Sequence, residues 1–314
     1  MIDKIDILKS RASMLTRARA FFSERNVLEV DCPMLSKYAS VDQHIDLIPC
    51  TTMGKEIRYL HSSPEYGMKR LLARGMCDIY QISHVFRDHE YGSRHNPEFM
   101  MAEWYRLGFT FEEMMEETCA FIRLFVGDLP VIQISYKDAF LKYVGFNPFD
   151  VSVEFLLDFL NKSGKLFSYS SKTDTKDDLL MIIMSEIIEP KFPKDTLLVL
   201  PYFPPTQAAL ANIRKLDGDL VAERFEVYSH GLELANGYHE LCHLQEQRGR
   251  FQQANRLRVL MGKQELPIDE FFLEALEIGL PDCCGVAVGF DRLMMIRHKT
   301  KKIADVLPFE WTQA

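Results

Sequence analysis

No stretch of this chain holds the ~20 consecutive apolar residues that a membrane-spanning helix needs. Met1 to Arg19 mixes charge with apolar residues and lacks the continuous apolar core of a secretory signal. Neither membrane residence nor export is expected. Positive charge is also short: 37 Lys and Arg stand against 45 Asp and Glu, a net charge of -8, with a pI near 5.7. Affinity for a polyphosphate backbone draws on clustered Lys and Arg, so a broad nucleic-acid surface is disfavoured, although a local basic patch is not. Cysteine spacing lacks order as well. The seven cysteines are odd in number, Cys283 and Cys284 are adjacent, and none falls into a pairing or metal-ligand pattern, which fits reduced thiols in the cytosol. Repeats and low-complexity tracts are missing too. What is present is 314 residues with 47% apolar content, enough to bury a sizeable core and read here as one large domain over 1–314.

The spacing of apolar residues sets out the elements. Leu8, Met14, Leu15, Ala18, Phe21 and Phe22 recur mostly three or four residues apart and predict a helix over Ile7 to Arg25, ending near Asn26. β-Prone runs follow at Val27 to Pro33, Ile57 to Leu60, Ile79 to Phe86 and Phe99 to Tyr105, with a helix at Glu65 to Arg74. Further helices are expected over Thr110 to Phe125, Val153 to Asn161, Lys176 to Glu189, Gln247 to Met261 and Asp269 to Gly279. Ser168 to Asp178 is rich in Ser, Thr, Asp and Lys and reads as a solvated loop or insertion boundary. After it come a strand at Thr196 to Leu200, a Pro-rich turn and a strand pair over Glu223 to Asn236. Gly285 to Arg297 closes the chain as a strand running into a helix. Strands in hairpins separated by helices, without a βαβ rhythm, predict an α+β fold on a mainly antiparallel sheet flanked by helices, with a helical insertion at about 130–195.

Three segments concentrate chemistry. The first, Val85 to Phe99, is a β-prone run, a polar loop containing Arg87, Asp88, His89, Glu90, Arg94, His95 and Asn96, and a second β-prone run. Guanidinium forks match phosphate oxygens, so this density of donors and cations suits a polyphosphate; a solvated charged loop is the plainer alternative. In the second, Glu226 and Glu233 flank a His230-Gly231 turn, and any two-residue hairpin loop there places both carboxylates on one sheet face. Such a pair repels unless a cation lies between. A Mg²⁺ bridging nucleotide phosphates would use that placement, whereas simple solvent exposure would leave both acids idle. The third is Gly285-Val-Ala-Val-Gly289-Phe-Asp291-Arg292. Its glycines let backbone and ligand approach closely, and an Arg at the start of an apolar helix can meet a phosphate that the helix dipole also favours. Taken alone it is equally a packing device.

In this order and combination the segments resemble signature motifs two and three of the class II aminoacyl-tRNA synthetases, and the lysine branch in particular. Phe86-Arg87, His95-Asn96-Pro97-Glu98-Phe99, Met101-Ala102-Glu103-Trp104-Tyr105, the run Glu233 to Leu241 and Gly289-Phe290-Asp291-Arg292 all look like that branch, and nearly the whole chain takes part. Motif one corresponds to the first helix and Val27 to Pro33, and Ser63-Pro64-Glu65 is similar to the family's substrate-binding tripeptide. Because motif one begins almost at Met1, no anticodon-binding domain and no tRNA are expected. The length, Trp104 and the Gly-Val-Ala-Val-Gly form of motif three resemble the elongation factor P (R)-β-lysine ligases instead.

That resemblance implies a class II synthetase catalytic fold working in the cytoplasm as a homodimer. It implies activation of (R)-β-lysine, or lysine, by attack of its carboxylate on the α-phosphorus of ATP with Mg²⁺, then transfer to a lysine of elongation factor P. By the same resemblance Arg87 and Arg292 are the catalytic groups, at the α-phosphate and γ-phosphate respectively. Asp88, His89, Asn96, Val227 and Gly289 border the nucleotide, Phe99 stacks on adenine, and Glu226 and Glu233 hold Mg²⁺. The amino-acid pocket takes Ser63, Pro64, Glu65, Glu103, Tyr105, Glu233, Asn236, Glu240 and Ala287. Within it Glu103, Tyr105 and Glu240 meet the side-chain amine and Glu65 the other amino group, since a buried ammonium needs acceptors. Two positions depart from the lysyl-tRNA synthetase pattern. His89 replaces a Glu that reads adenine, with Glu90 as its nearest substitute, and Ala287 replaces a Gly at a place tied to the preference for β-lysine. A truncated lysyl-tRNA synthetase or lysine-activating ligase is the competing enzyme, and a regulatory paralogue without chemistry the competing non-enzyme.

Overall fold

Capping side chains and left-handed residues set the boundaries of the elements. Asp3 accepts from the Ile5 N–H at 3.2 Å and starts the first helix, and Asn26, at φ 55°, turns the chain out of it. In the computed structural model, which describes residues 3–165 and 175–314, the order begins α1 (Lys4–Ser23), β1 (Leu28–Glu29), β2 (Leu35–Ser36), β3 (Pro49–Thr51), β4 (Ile57–Leu60) and α2 (Glu65–Leu72). It continues with β5 (Ile79–Phe86), β6 (Glu98–Leu107), α3 (Phe111–Val126), β7 (Val131–Gln133), α4 (Tyr136–Val144), α5 (Val153–Lys162) and α6 (Lys176–Ile183). Then follow β8 (Leu197–Phe203), β9 (Ile213–Leu216), β10 (Asp219–Ser229), β11 (Leu232–His239), α7 (Leu244–Leu260), α8 (Glu270–Ile278), β12 (Cys283–Gly289) and α9 (Phe290–Arg297). The fold is α+β, and the chain gathers into two compact units, Met1–Asp128 with Leu234–Ala314, and Leu129–Glu233.

In the first unit β1, β5, β6, β12 and β11 lie side by side in that order. All of these pairs are antiparallel except β1 with β5. Alternation along β6 divides its side chains between two environments. Trp104 packs against Phe22 and Phe121 with ring centroids 5.2 and 5.1 Å away, and its indole N–H donates to Glu117 Oε1 at 3.0 Å. Phe125 meets Phe290 at 5.2 Å, so α1, α3 and α9 cover that face. Glu103 and Tyr105 project from the other face, toward α2 and α8, whose own contact is the stacked pair Tyr66 and Phe272 at 4.6 Å. A buried ion pair between Arg11 of α1 and Asp291 of α9 ties the helix layer together, and the second Asp291 oxygen accepts from the Met100 N–H at 2.7 Å. A small antiparallel sheet, β2-β4-β3, belongs to the same unit.

The second unit is built on β10, β8 and β7, with β9 paired to β10. β7 runs parallel to β8, and the other pairs are antiparallel. His230 at φ 52° and Gly231 at φ 73° have the left-handed backbone that a two-residue type I′ turn demands. Asp217 at φ 50° and Gly218 at φ 95° repeat the device between β9 and β10.

Several boundaries differ from the sequence expectation. The helix predicted over Lys176 to Glu189 stops at Ile183 and continues as one π turn, Met184–Ile188, and a 3₁₀ turn, Glu189–Lys191. Pro190, without an N–H, cannot extend an α-helix there. The loop expected at Ser168 to Asp178 lies outside the described residues as far as 174, and its end is already helix, capped by Thr175 accepting from the Asp178 N–H at 3.3 Å. The helix α4 and the strands β2, β3, β7 and β9 were not anticipated. All seven cysteines are free thiols.

Candidate active site

The register of the first unit's sheet lines up a row of side chains. Gln81 pairs with Glu103, Glu103 with Ala287, and Ala287 with Asn236; two positions along, Tyr105 pairs with Gly285 and Gly285 with Tyr238. Residues opposite one another in a ladder share a face, so Glu103, Tyr105, Gly285, Ala287 and Asn236 form one floor. The tripeptide Ser63-Pro64-Glu65 opens α2 beside it. Ser63 Oγ donates to Glu103 Oε2 at 2.6 Å and accepts from the Glu65 N–H at 3.0 Å, while Tyr105 donates to Glu103 Oε1 at 2.8 Å. Glu240, just beyond β11, completes the group. Asn236 donates to the Tyr238 hydroxyl at 2.8 Å.

Beneath these groups lies a residue that sequence reasoning missed. Lys69 of α2 is 0% exposed, and its ammonium sits 2.6 Å from Glu65 Oε1 and 2.5 Å from Glu240 Oε2. Glu103 and Glu240 are only 2% and 1% exposed. Burial, then the charge of Glu65, pushes the Glu103 carboxyl up to about 7. Burial pushes Glu240 up to about 8, with Lys69 pulling it down and Glu65 and Glu103 pushing it further up. Burial alone would lower Lys69, and Glu240 and Glu65 more than reverse that, so it stays an ammonium. Gly285 was noted for backbone approach but not as a pocket residue. A Cβ there would stand 2.3 Å from Glu240 Oε1 and 2.3 Å from Tyr105 Cε1, so these two side chains can lie against the sheet only because position 285 has no side chain.

The residues expected at the nucleotide divide by what already occupies them. Arg87 lies with its guanidinium carbon 5.1 Å from the Phe99 ring centre, Glu90 is 3.7 Å away, and Arg87 Nε is buried with no hydrogen-bond partner among the described residues. Arg292, one turn into α9 from Gly289, has Nη2 2.8 Å from His95 Nε2. Asp88 accepts from the His89 N–H at 2.9 Å. His89 itself is left-handed, φ 63°, with an 80% exposed side chain. Asn96 spends its amide on structure, donating to the Glu98 carbonyl at 2.7 Å and accepting from the Trp311 N–H at 3.0 Å.

In the second unit Glu226 is buried and bonded to Arg224 and to the Tyr228 hydroxyl. Burial raises its carboxyl; Arg224 opposes the rise and Glu233 adds to it. Glu226 and Glu233 therefore feel one another, as two acids on one face should. Val227 turns a fully buried side chain away from them, which leaves only its backbone for a ligand. Among the described residues no group of three or more His, Cys, Asp or Glu gathers for a metal. Two carboxylates fit a divalent cation whose other ligands are phosphate oxygens and water, in the manner of Mg²⁺.

Comparison with known proteins follows the same line. Residues 3–313 match the family described as tRNA synthetases class II (D, K and N). The chain is 44% identical over 308 residues to the elongation factor P–(R)-β-lysine ligase of Haemophilus influenzae strain Rd, covering 95% of this chain and 93% of that protein. It is 41% identical over 315 residues to the protein of that name from Vibrio cholerae, covering 99% and 97%, and 40% identical over 310 residues to that from Pasteurella multocida, covering 97% and 95%. With motif residues, strand register and near full-length similarity in agreement, the chain belongs to the class II tRNA synthetases of the D, K and N type and, within them, to the family of the elongation factor P–(R)-β-lysine ligases.

Proposed function

We propose that this chain activates (R)-β-lysine with ATP as an aminoacyl-adenylate and transfers it to a lysine side chain of elongation factor P. The observation that carries the reading is the charge of the buried pocket: three carboxylates, Glu65, Glu103 and Glu240, stand around one ammonium, Lys69. With all three acids ionised the site would hold two surplus negative charges, which burial resists by raising the Glu103 and Glu240 carboxyls until cations arrive to cancel them. A diamino acid brings two ammonium groups. The relatives' shared name supports the choice of β-lysine and of elongation factor P, and Ala287, level with Glu103 and Asn236, places a methyl group where the substrate backbone would lie.

Activation joins the substrate carboxylate to the α-phosphorus and releases pyrophosphate; transfer joins the acyl carbon to a deprotonated lysine amine and releases AMP. Neither step needs a protein nucleophile, so orientation and charge neutralisation carry the catalysis. In this assignment Arg87 uses its unpaired Nε on the α-phosphate, Arg292 meets the terminal phosphate, and Phe99 offers the adenine a flat face. Asp88, His89 and Gly289 border the nucleotide, and Asn96 positions the loop. Glu226 and Glu233 would hold Mg²⁺, which when bound neutralises phosphate charge. The enzyme is assigned to the cytoplasm, acts without tRNA and is a homodimer.

ATP–pyrophosphate exchange with (R)-β-lysine, with α-lysine and with no amino acid tests the proposal, followed by mass measurement of elongation factor P. Exchange strongest with (R)-β-lysine and a matching mass gain on the factor are expected. Preference for α-lysine would indicate a truncated lysyl-tRNA synthetase or lysine-activating ligase, and no exchange a regulatory paralogue.

A further inference from the structure

The amine pocket contains a charged side chain to which the activation chemistry assigns no task. Lys69 lies on the inner side of α2, closed off from solvent, with Glu65 one helical turn before it and Glu240 arriving from the end of β11. Its stem passes near Tyr105 and Phe272, whose ring centres are 5.9 and 5.8 Å from Nζ. Glu103, the third carboxylate, is held by two neutral donors, Ser63 and Tyr105. An ammonium so buried is retained only where its partners compensate the loss of hydration, and here two carboxylates do so.

We propose that Lys69 is a positioning residue for the amino-acid substrate: by clamping Glu65 and Glu240 it fixes both acceptors and offsets one of the three acids, leaving two to be met by the two ammonium groups of a diamino acid whose carboxylate points away to the phosphate. The inference rests on the proposed activation of a diamino acid and adds the element that sets its charge class. Lys69 does not touch the reacting atoms. Its ammonium holds both carboxyl groups in place and opposes the rise that burial imposes on Glu240, so that the two acceptors face the incoming ammonium groups. The titratable neighbours of the cluster are Glu65 and Tyr66 on α2, Glu103 and Tyr105 on β6, Glu240 and Cys242 after β11, Cys283 on β12 and Cys32 near Gln81. Burial keeps the thiols and phenols among them neutral, which leaves Lys69 as the cation that balances the three acids.

The test is the pH dependence of pyrophosphate exchange in Lys69→Met. Removing a cation this close raises the pH at which neighbouring carboxyls ionise by about one to three units. The acid limb of kcat/KM for (R)-β-lysine should therefore move to higher pH by at least about one unit, while the limb of kcat/KM for ATP stays put. Lys69→Arg, which keeps the charge, should hold the limb near its wild-type position. Should Lys69→Met not fold, the same comparison runs between Glu240→Gln and Glu240→Gln/Lys69→Met, where loss of Lys69 again raises the limb. An unmoved limb in active, folded variants, or equal shifts for ATP and the amino acid, would overturn the assignment while leaving the activation chemistry intact. Absence of exchange with any diamino acid in the wild-type enzyme would overturn both.

Discussion

At Gly285 the packing of Tyr105 and Glu240 against the sheet depends on a single missing methyl group. A Cβ at 2.3 Å from both Glu240 Oε1 and Tyr105 Cε1 cannot be absorbed by one flexible tip, because Tyr105 is fixed through Glu103 and Glu240 through Lys69. Overpacking of this kind costs roughly 1–3 kcal/mol. Gly285→Ala should raise KM for the amino acid by at least about tenfold, the lower end of what one misplaced methyl does in a tight pocket, with little change in KM for ATP; steady-state exchange kinetics decide it. Ala287 works in the opposite sense. Level with Glu103 and Asn236, its methyl would, in the proposed activation, crowd an α-amino group held against the sheet and spare a β-amino group one methylene away. Ala287→Gly should shift the ratio of kcat/KM for α-lysine over (R)-β-lysine upward by about 10 to 200-fold. An unchanged ratio would remove Ala287 from substrate choice.

Helices and strands show how far the sequence could be read. β-Prone composition placed β4 and β5 to the residue, and apolar spacing placed α1 and α3 to within a few, because each helix carries a buried stripe and a polar cap. The shorter α4 had its signals, Ser135 accepting from Asp138 N–H and a left-handed Gly145, but nine residues between them give too few turns for a period to stand out. The Asp217-Gly218 turn was equally visible and was overlooked beside the Pro-rich segment before it. The pocket residues Glu65, Glu103 and Glu240 were reached through motif resemblance. Lys69 was not: its spacing of three residues from Tyr66 and from Leu72 puts it on the buried face of α2, but a lysine is seldom buried without a partner, and its partner Glu240 lies far along the chain. Arg11 was hidden for the same reason: its partner Asp291 sits at the start of α9, and the pairing exists only once α1 packs on that helix. Cutting one partner of a buried ion pair leaves a charge uncompensated, at a cost of roughly 3–5 kcal/mol. Asp291→Asn keeps an acceptor for the Met100 N–H and removes only the charge, so it should lower unfolding free energy by about that amount in denaturant titration. Arg11→Met/Asp291→Asn, with no stranded charge, should recover much of the loss.

At the scale of the whole molecule, the expected homodimer would cover apolar side chains left open on the first unit. Leu28 on β1 is 49% exposed, Ile57 on β4 58%, and Met34 and Leu35 between them 45% and 43%. β1 is only two residues long and is the outermost strand of that unit's sheet, with the apolar side chain of Leu28 exposed on it. Scattered exposed apolar residues are ordinary on a monomer; here Leu28 stands on an open sheet edge, which is a place where another chain can pair, while Leu35 and Ile57 belong to the small sheet β2-β4-β3. A two-fold contact meets the same patch twice, so each leucine or isoleucine buried there counts on both sides, at about 1.5–3 kcal/mol for full burial of one side chain. The same symmetry makes the patch easy to break, because one substitution places two like charges in the contact. Light scattering on the wild-type protein at micromolar concentration should therefore give twice the chain mass of 36.4 kDa, and Leu28→Glu/Ile57→Glu should give a single chain mass with its helical content retained. A wild-type particle of 36.4 kDa would remove the homodimer, and a double variant that still dimerises would move the interface away from β1 and β4.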